Sequence, residues 1–175
     1  KKSLSRYATL GITLLLLLAI NACSLQKSPI TGQKRAYGYS WEEELKIGKE
    51  ADQSIQQQYG IYEGQELNDY VKRVGQEVLE VSHMRRSSTL EKYRETEFTF
   101  RVLDSPVVNA FALPGGYIYV TRGLLAHLNN EAQLAVVLGH EIGHVAARHA
   151  SQRAFEQQAG QIALMGGAVV GQEVF

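Results

Sequence analysis

The sequence predicts an α+β domain, mainly helical, with a short β-sheet or hairpin beside a central apolar helix. Three patterns carry that reading. Leu134, Val137, Leu138, Ile142 and Val145 fall on a segment that is apolar around most of its circumference, as a buried helix requires. Phe98, Phe100 and Val102 alternate with Thr99 and Arg101, the period of a half-buried strand. Two β-prone runs, Asn109 to Leu113 and Tyr117 to Thr121, flank Pro114-Gly115-Gly116, which predicts a hairpin-like turn. With 175 residues, 45% of them hydrophobic, the chain can bury one ordinary core. Repeats and low-complexity tracts are absent.

In chain order, Lys1, Lys2 and Arg6 precede an uncharged run from Tyr7 to Ile20, the layout of a secretory signal peptide over residues 1–22. A membrane-spanning helix takes about 20 apolar residues, and this run is shorter. Ile20-Asn21-Ala22-Cys23 resembles a bacterial lipobox, in which the thiol of Cys23 receives a lipid before cleavage; Asn21 departs from the usual small or aliphatic residue. A single cysteine has no disulfide partner in the chain, which suits a consumed thiol. If the lipobox holds, Ser24 after the lipidated cysteine resembles a signal for the outer membrane of a Gram-negative cell. Loss of residues 1–22 would remove Lys1, Lys2 and Arg6 and no acid, leaving a formal charge of about −3. That balance argues against nucleic acid as a partner.

Residues 23–39 are polar, carry Pro29 and Gly32, and read as a lipid-anchored linker to a folded part that begins at residue 40. Ser40 and Glu43 fit a capping box, so a helix is predicted from Trp41 to about Tyr59, stopping at Gly60. Leu67, Tyr70, Val71, Val74 and Val78 predict a second amphipathic helix. His83 to Arg94 lacks a sustained period and reads as a loop or a frayed helix end. Arg122 to Leu128 reads as a short helix, and Asn129 or Asn130 caps the apolar one, which is expected to run on to about Gln158. No stop signal precedes Phe175, so the sequence is expected to be truncated there, with residues 40–175 the N-terminal part of a larger catalytic domain.

The chemistry sits at His140-Glu141-Ile142-Gly143-His144. At about 100° per residue, two histidines four apart lie roughly 40° from each other, so both imidazoles can reach one metal ion. Zinc suits two neutral imidazoles, one further protein ligand and a water. Glu141 then stands where its carboxylate can deprotonate the activated water and reprotonate a leaving amine, the division of labour that peptide hydrolysis requires. A third ligand is harder to place. Motifs extended by a histidine six residues after the second one have Ala150 here, and Ala147 replaces the intervening glycine. On a continuous helix His149 points about 180° and Glu156 about 160° from His140, so His149 reads as a packing or hydrogen-bonding residue. Glu173 lies on no recognisable ligand helix. The third ligand is expected to be a glutamate downstream of Phe175.

The run from Asn109 to Leu125, with His140-Glu141-Ile142-Gly143-His144-Val145 and Arg148-His149, resembles peptidase family forty-eight of the metallopeptidases. This resemblance implies a zincin-like fold of the gluzincin type, with His140 and His144 as zinc ligands, Glu141 as general base and one Zn2+ per complete domain. It also implies that Asn109, Ala110, Phe111 and Ala112 line the cleft as an edge strand that pairs with an extended substrate. With the lipobox-like start, the likeness is to periplasmic proteases anchored to the outer membrane that act in quality control and outer-membrane assembly. The expected function is hydrolysis of misfolded or misassembled envelope proteins, in contact with the outer-membrane assembly machinery. The alternative is a non-proteolytic chaperone or assembly factor.

Overall fold

The computed structural model describes residues 24–171. The signal-peptide and lipidation expectations, with Cys23, lie outside those residues, as does Glu173.

Two strands, β1 (Ser24–Lys27) and β2 (Lys34–Tyr37), pair antiparallel at the start. The segment read as a linker therefore carries a folded hairpin. Ser28 closes its turn, with backbone bonds to Gln33 and Gly32 of 2.9 Å, while its Oγ accepts from the N–H groups of Ile30 and Thr31. Pairing here is largely main-chain, and the only large side chain driven fully inside is Tyr37. A polar composition therefore hid it.

Helix α1 (Trp41–Tyr59) starts and stops as its sequence predicts. The Glu43 N–H donates to Ser40 Oγ at 3.1 Å, and the Ser40 N–H donates to Glu43 Oε2 at 2.7 Å, closing the capping box. Helix α2 (Gln65–Glu80) buries Val71, Val74 and Leu79. The stretch read as a loop holds a 3-10 turn at His83–Arg85 and a short helix α3 (Glu91–Arg94), each pinned by one fully buried side chain, Met84 and Tyr93. Single anchors of this kind leave no period to detect.

Strands β3 (Thr99–Leu103), β4 (Ala110–Leu113) and β5 (Tyr117–Thr121) form a sheet in the order β3-β5-β4. Strand β5 lies parallel to β3, with Phe100 opposite Ile118, and antiparallel to β4, with Ala112 opposite Ile118. The turn between β4 and β5 places Gly115 at φ 78° and Gly116 at φ 97°, where only glycine is unstrained. Because β4 is outermost in this order, one of its edges lacks a strand partner among the described residues.

Helix α4 (Arg122–Leu125) leads to α5 (Glu131–Ala147), whose first turn is capped by Asn130 Oδ1 accepting from the Gln133 N–H at 3.0 Å. Leu134, Leu138 and Ile142 of α5 meet Val71 and Val74 of α2 and Phe100, Val102, Ile118 and Val120 of the sheet in one core. The other sheet face receives α1. There Asp52 accepts from Arg101 Nε and Nη2 at 2.9 Å each and from the Tyr119 hydroxyl at 2.6 Å. The order of layers is α1, sheet, then α2 with α5. Among the described residues no helix is long and apolar enough to cross a membrane.

The apolar helix does not run to Gln158: it ends at Ala147, Arg148 turns left-handed at φ 58° and ψ 40°, and α6 (His149–Gly171) sets off in a new direction.

Candidate metal centre

His140 and His144 sit one turn apart on α5, as their spacing requires. Their Nε2 atoms converge to 3.0 Å. Two nitrogens on one tetrahedral ion at about 2.0–2.1 Å would lie roughly 3.3 Å apart, so this geometry needs only a small opening to hold zinc. Glu141 is 8% exposed yet borders the same cavity, of about 320 Å³. The cavity is lined by His140, Glu141, His144 and His149, by Ala110, Phe111, Ala112 and Leu113 of β4, and by Arg153. Asn109 is not among the lining residues; its N–H donates to Thr121 Oγ1 at 3.1 Å and its carbonyl accepts from the Thr121 N–H, which fixes the start of the strand.

Ala110 and Ala112 pack toward the core beneath α5, and small side chains there let the edge strand lie beside the helix that carries the histidines. Phe111 projects to the opposite face and stacks on Tyr119 at 4.9 Å, through which it is tied to Asp52 and α1. The turn that follows is held from α1 by a close approach: a Cβ on Gly48 would run into the Pro114 carbonyl oxygen.

His149 is a hydrogen-bonding residue, as expected, but it faces the histidine pair instead of pointing away from it. The break at Arg148 removes the continuous helix on which it would have pointed away, and its Nδ1 lies 2.7 Å from Nδ1 of His144. Burial holds the His149 imidazole below its ordinary range, and repulsion from His144, Arg153 and His140 adds to that. No glycine or proline marks the break in the sequence. Its cause is Arg148, fully buried, whose Nε donates to Glu44 Oε1 at 2.7 Å, Nη1 to Gln26 Oε1 at 2.9 Å and Nη2 to the Tyr39 carbonyl at 2.8 Å. The guanidinium lies 3.9 Å over the Tyr37 ring. Burial pushes the Glu44 carboxyl above its ordinary range, against the pull of Arg148. The pair therefore fixes geometry more than it adds stability.

Among the described residues no group of three or more His, Cys, Asp and Glu side chains is placed to hold one ion. Glu156 is exposed on α6 and does not border the cavity. Two helix-borne imidazoles with an adjacent carboxylate, beside an open strand edge, are what hydrolysis of an extended chain would call for. The model of peptidase family M48 matches residues 65–174, the stretch holding the three-stranded sheet, most of the cavity lining and the histidine pair. The chain belongs to peptidase family M48.

This is a family of zinc metallopeptidases. Among M48 relatives, the mitochondrial metalloendopeptidase OMA1 of Schizosaccharomyces pombe is 31% identical over 134 residues, 74% of this chain and 36% of its own length. The mitochondrial metalloendopeptidase OMA1 of Arabidopsis thaliana is 51% identical over 51 residues, 29% of this chain and 10% of its own. The beta-barrel assembly-enhancing protease of Escherichia coli is 39% identical over 64 residues, 37% of this chain and 13% of its own. The chain thus spans little more than a third, or less, of these curated relatives.

Proposed function

We propose that this chain forms the zinc-holding core of a cell-envelope endopeptidase with a zincin-like fold, acting on extended segments of misfolded or misassembled envelope proteins. The convergence of the His140 and His144 Nε2 atoms to 3.0 Å, in a cavity that Glu141 and the free-edged strand β4 also line, carries the proposal. His140 and His144 would hold the ion, and a glutamate downstream of Phe175 would be the third protein ligand. Bound there, zinc supplies Lewis-acid polarisation of the scissile carbonyl and brings a water's pKa down to about 7.

The remaining work falls to this chain's own groups. The unpaired edge of β4 offers main-chain donors and acceptors to a substrate backbone, so an extended chain is held with little demand on its sequence. The Glu141 carboxylate takes the proton of the attacking water and passes it to the leaving amine nitrogen. Lipidation at Cys23 would place the enzyme on the periplasmic side of the outer membrane, near the assembly machinery. The relative named a beta-barrel assembly-enhancing protease supports the link to assembly.

The test is the Glu141→Gln variant of the full-length protein. Zinc content is expected to stay at one per molecule while cleavage of casein falls by a factor of about 10²–10⁴, the range of a lost general base. Removal of zinc by a chelator should abolish cleavage, and zinc should restore it. Casein cleavage at the parental rate by Glu141→Gln would remove the assigned base; a variant that still supports envelope assembly in cells would favour a chaperone.

A further inference from the structure

The hydrogen bond between His144 and His149 has a direction that the proposed metal site decides. Two ring nitrogens 2.7 Å apart need one N–H and one lone pair between them. His144 already turns its Nε2 toward His140. If that nitrogen gives its lone pair to zinc, the proton of the neutral ring must sit on Nδ1, which then donates. His149 is left to accept through Nδ1 and to carry its own proton on Nε2. At 2.7 Å the two Nδ1 atoms stand at hydrogen-bonding distance, closer than the roughly 3.3 Å of two ligands on one tetrahedral ion.

We propose that His149 is a positioning residue for the metal centre: its Nδ1 accepts the Nδ1–H of His144, fixing the tautomer and ring angle with which His144 faces His140. The assignment rests on the zinc-peptidase reading above. His149 reaches this position only because the chain breaks at Arg148, and the break is held by Glu44 of α1 and by Gln26 and Tyr39 around the N-terminal hairpin. Residues in and beside the N-terminal hairpin thus bear on a ligand more than a hundred positions later. Outer partners of this kind orient a ligating imidazole and raise its basicity, and their loss typically weakens metal binding about 10–100-fold.

Zinc affinity of the full-length protein, measured by competition with a chromophoric chelator, tests the assignment in the parent, His149→Ala and His149→Asn. The Asn Oδ1 can stand where the imidazole Nδ1 stands and accept the same proton. The Ala variant is expected to bind zinc about 10–100-fold more weakly with the metal-free Tm unchanged, and the Asn variant to recover most of the loss. Parental affinity in His149→Ala overturns the assignment, and so does an Asn variant as weak as Ala. Nitrogen NMR of the zinc-loaded parent gives an answer that no variant's folding can obscure: His149 should be protonated on Nε2, and a proton on its Nδ1 overturns the proposal. A parent that takes up no zinc overturns the peptidase reading together with this one, whereas failure of the variants or of the tautomer overturns this one alone.

Discussion

Arg148 holds a left-handed backbone that costs a non-glycine residue roughly 1–2 kcal/mol, and it is buried as a cation. Both costs are offset by its bonds to Glu44, Gln26 and the Tyr39 carbonyl and by the rings of Tyr37 and Trp41 about it. The Arg148→Met variant should lose about 3–5 kcal/mol in urea unfolding, because Glu44 is left buried without its partner. Pairing it with Glu44→Leu should recover a large part of that loss, since an apolar pair of similar volume avoids the uncompensated charge. If the double variant is no more stable than Arg148→Met alone, Glu44 is not the source of the cost. Zinc affinity in the double variant should stay low, because His149 is no longer turned toward His144.

Between elements, the contact that places the edge strand is that of α1 with the β4–β5 turn. Gly48 lies where any side chain would strike the Pro114 carbonyl, so α1 can approach the turn only through bare backbone. The Gly48→Ala variant should be destabilised by about 1–3 kcal/mol, the cost of overpacking, even though alanine is the better helix former. Thermal unfolding checks the sign: an unchanged or raised Tm would mean that helix propensity outweighs the close approach. Because the turn feeds directly into Ala110–Leu113, cleavage in this variant should fall further than stability alone accounts for.

Across the molecule, Asp52 ties the α1 layer to β3 and β5 through Arg101 and Tyr119. Burial raises its pKa, but the bonds from Arg101, Tyr119 and Gln56 outweigh burial and hold the carboxyl below its ordinary range. A carboxyl depressed in the folded state contributes stability that is present above the unfolded value of about 3.9 and is lost as pH falls through the folded one. The Asp52→Asn variant should therefore be clearly less stable than the parent near pH 7, with the gap narrowing below about pH 4. Urea unfolding at the two pH values measures this, and a gap that is constant with pH would mean that the carboxylate's charge is not what joins the layers.

Local chemistry was enough to write much of this fold. The capping box at Ser40, the stop at Gly60, the alternation through Phe100 and Val102, the glycine turn after Pro114 and the His140–His144 spacing each act within a few residues. Each was legible because its cause lies in neighbouring side chains. The N-terminal hairpin was hidden by its polar composition and main-chain pairing; the anchors Met84 and Tyr93 and the end of α5 at Ala147 were not legible, since their causes lie far off in the chain. Helical periodicity extends Arg148 and His149 straight onward, and nothing in their immediate neighbourhood opposes it. Glu44, Gln26 and Tyr39, brought alongside by folding, make the left-handed turn the lower-energy state. Residue order dictated which imidazoles share a helix face; long-range burial of one guanidinium chose which third imidazole stands behind them.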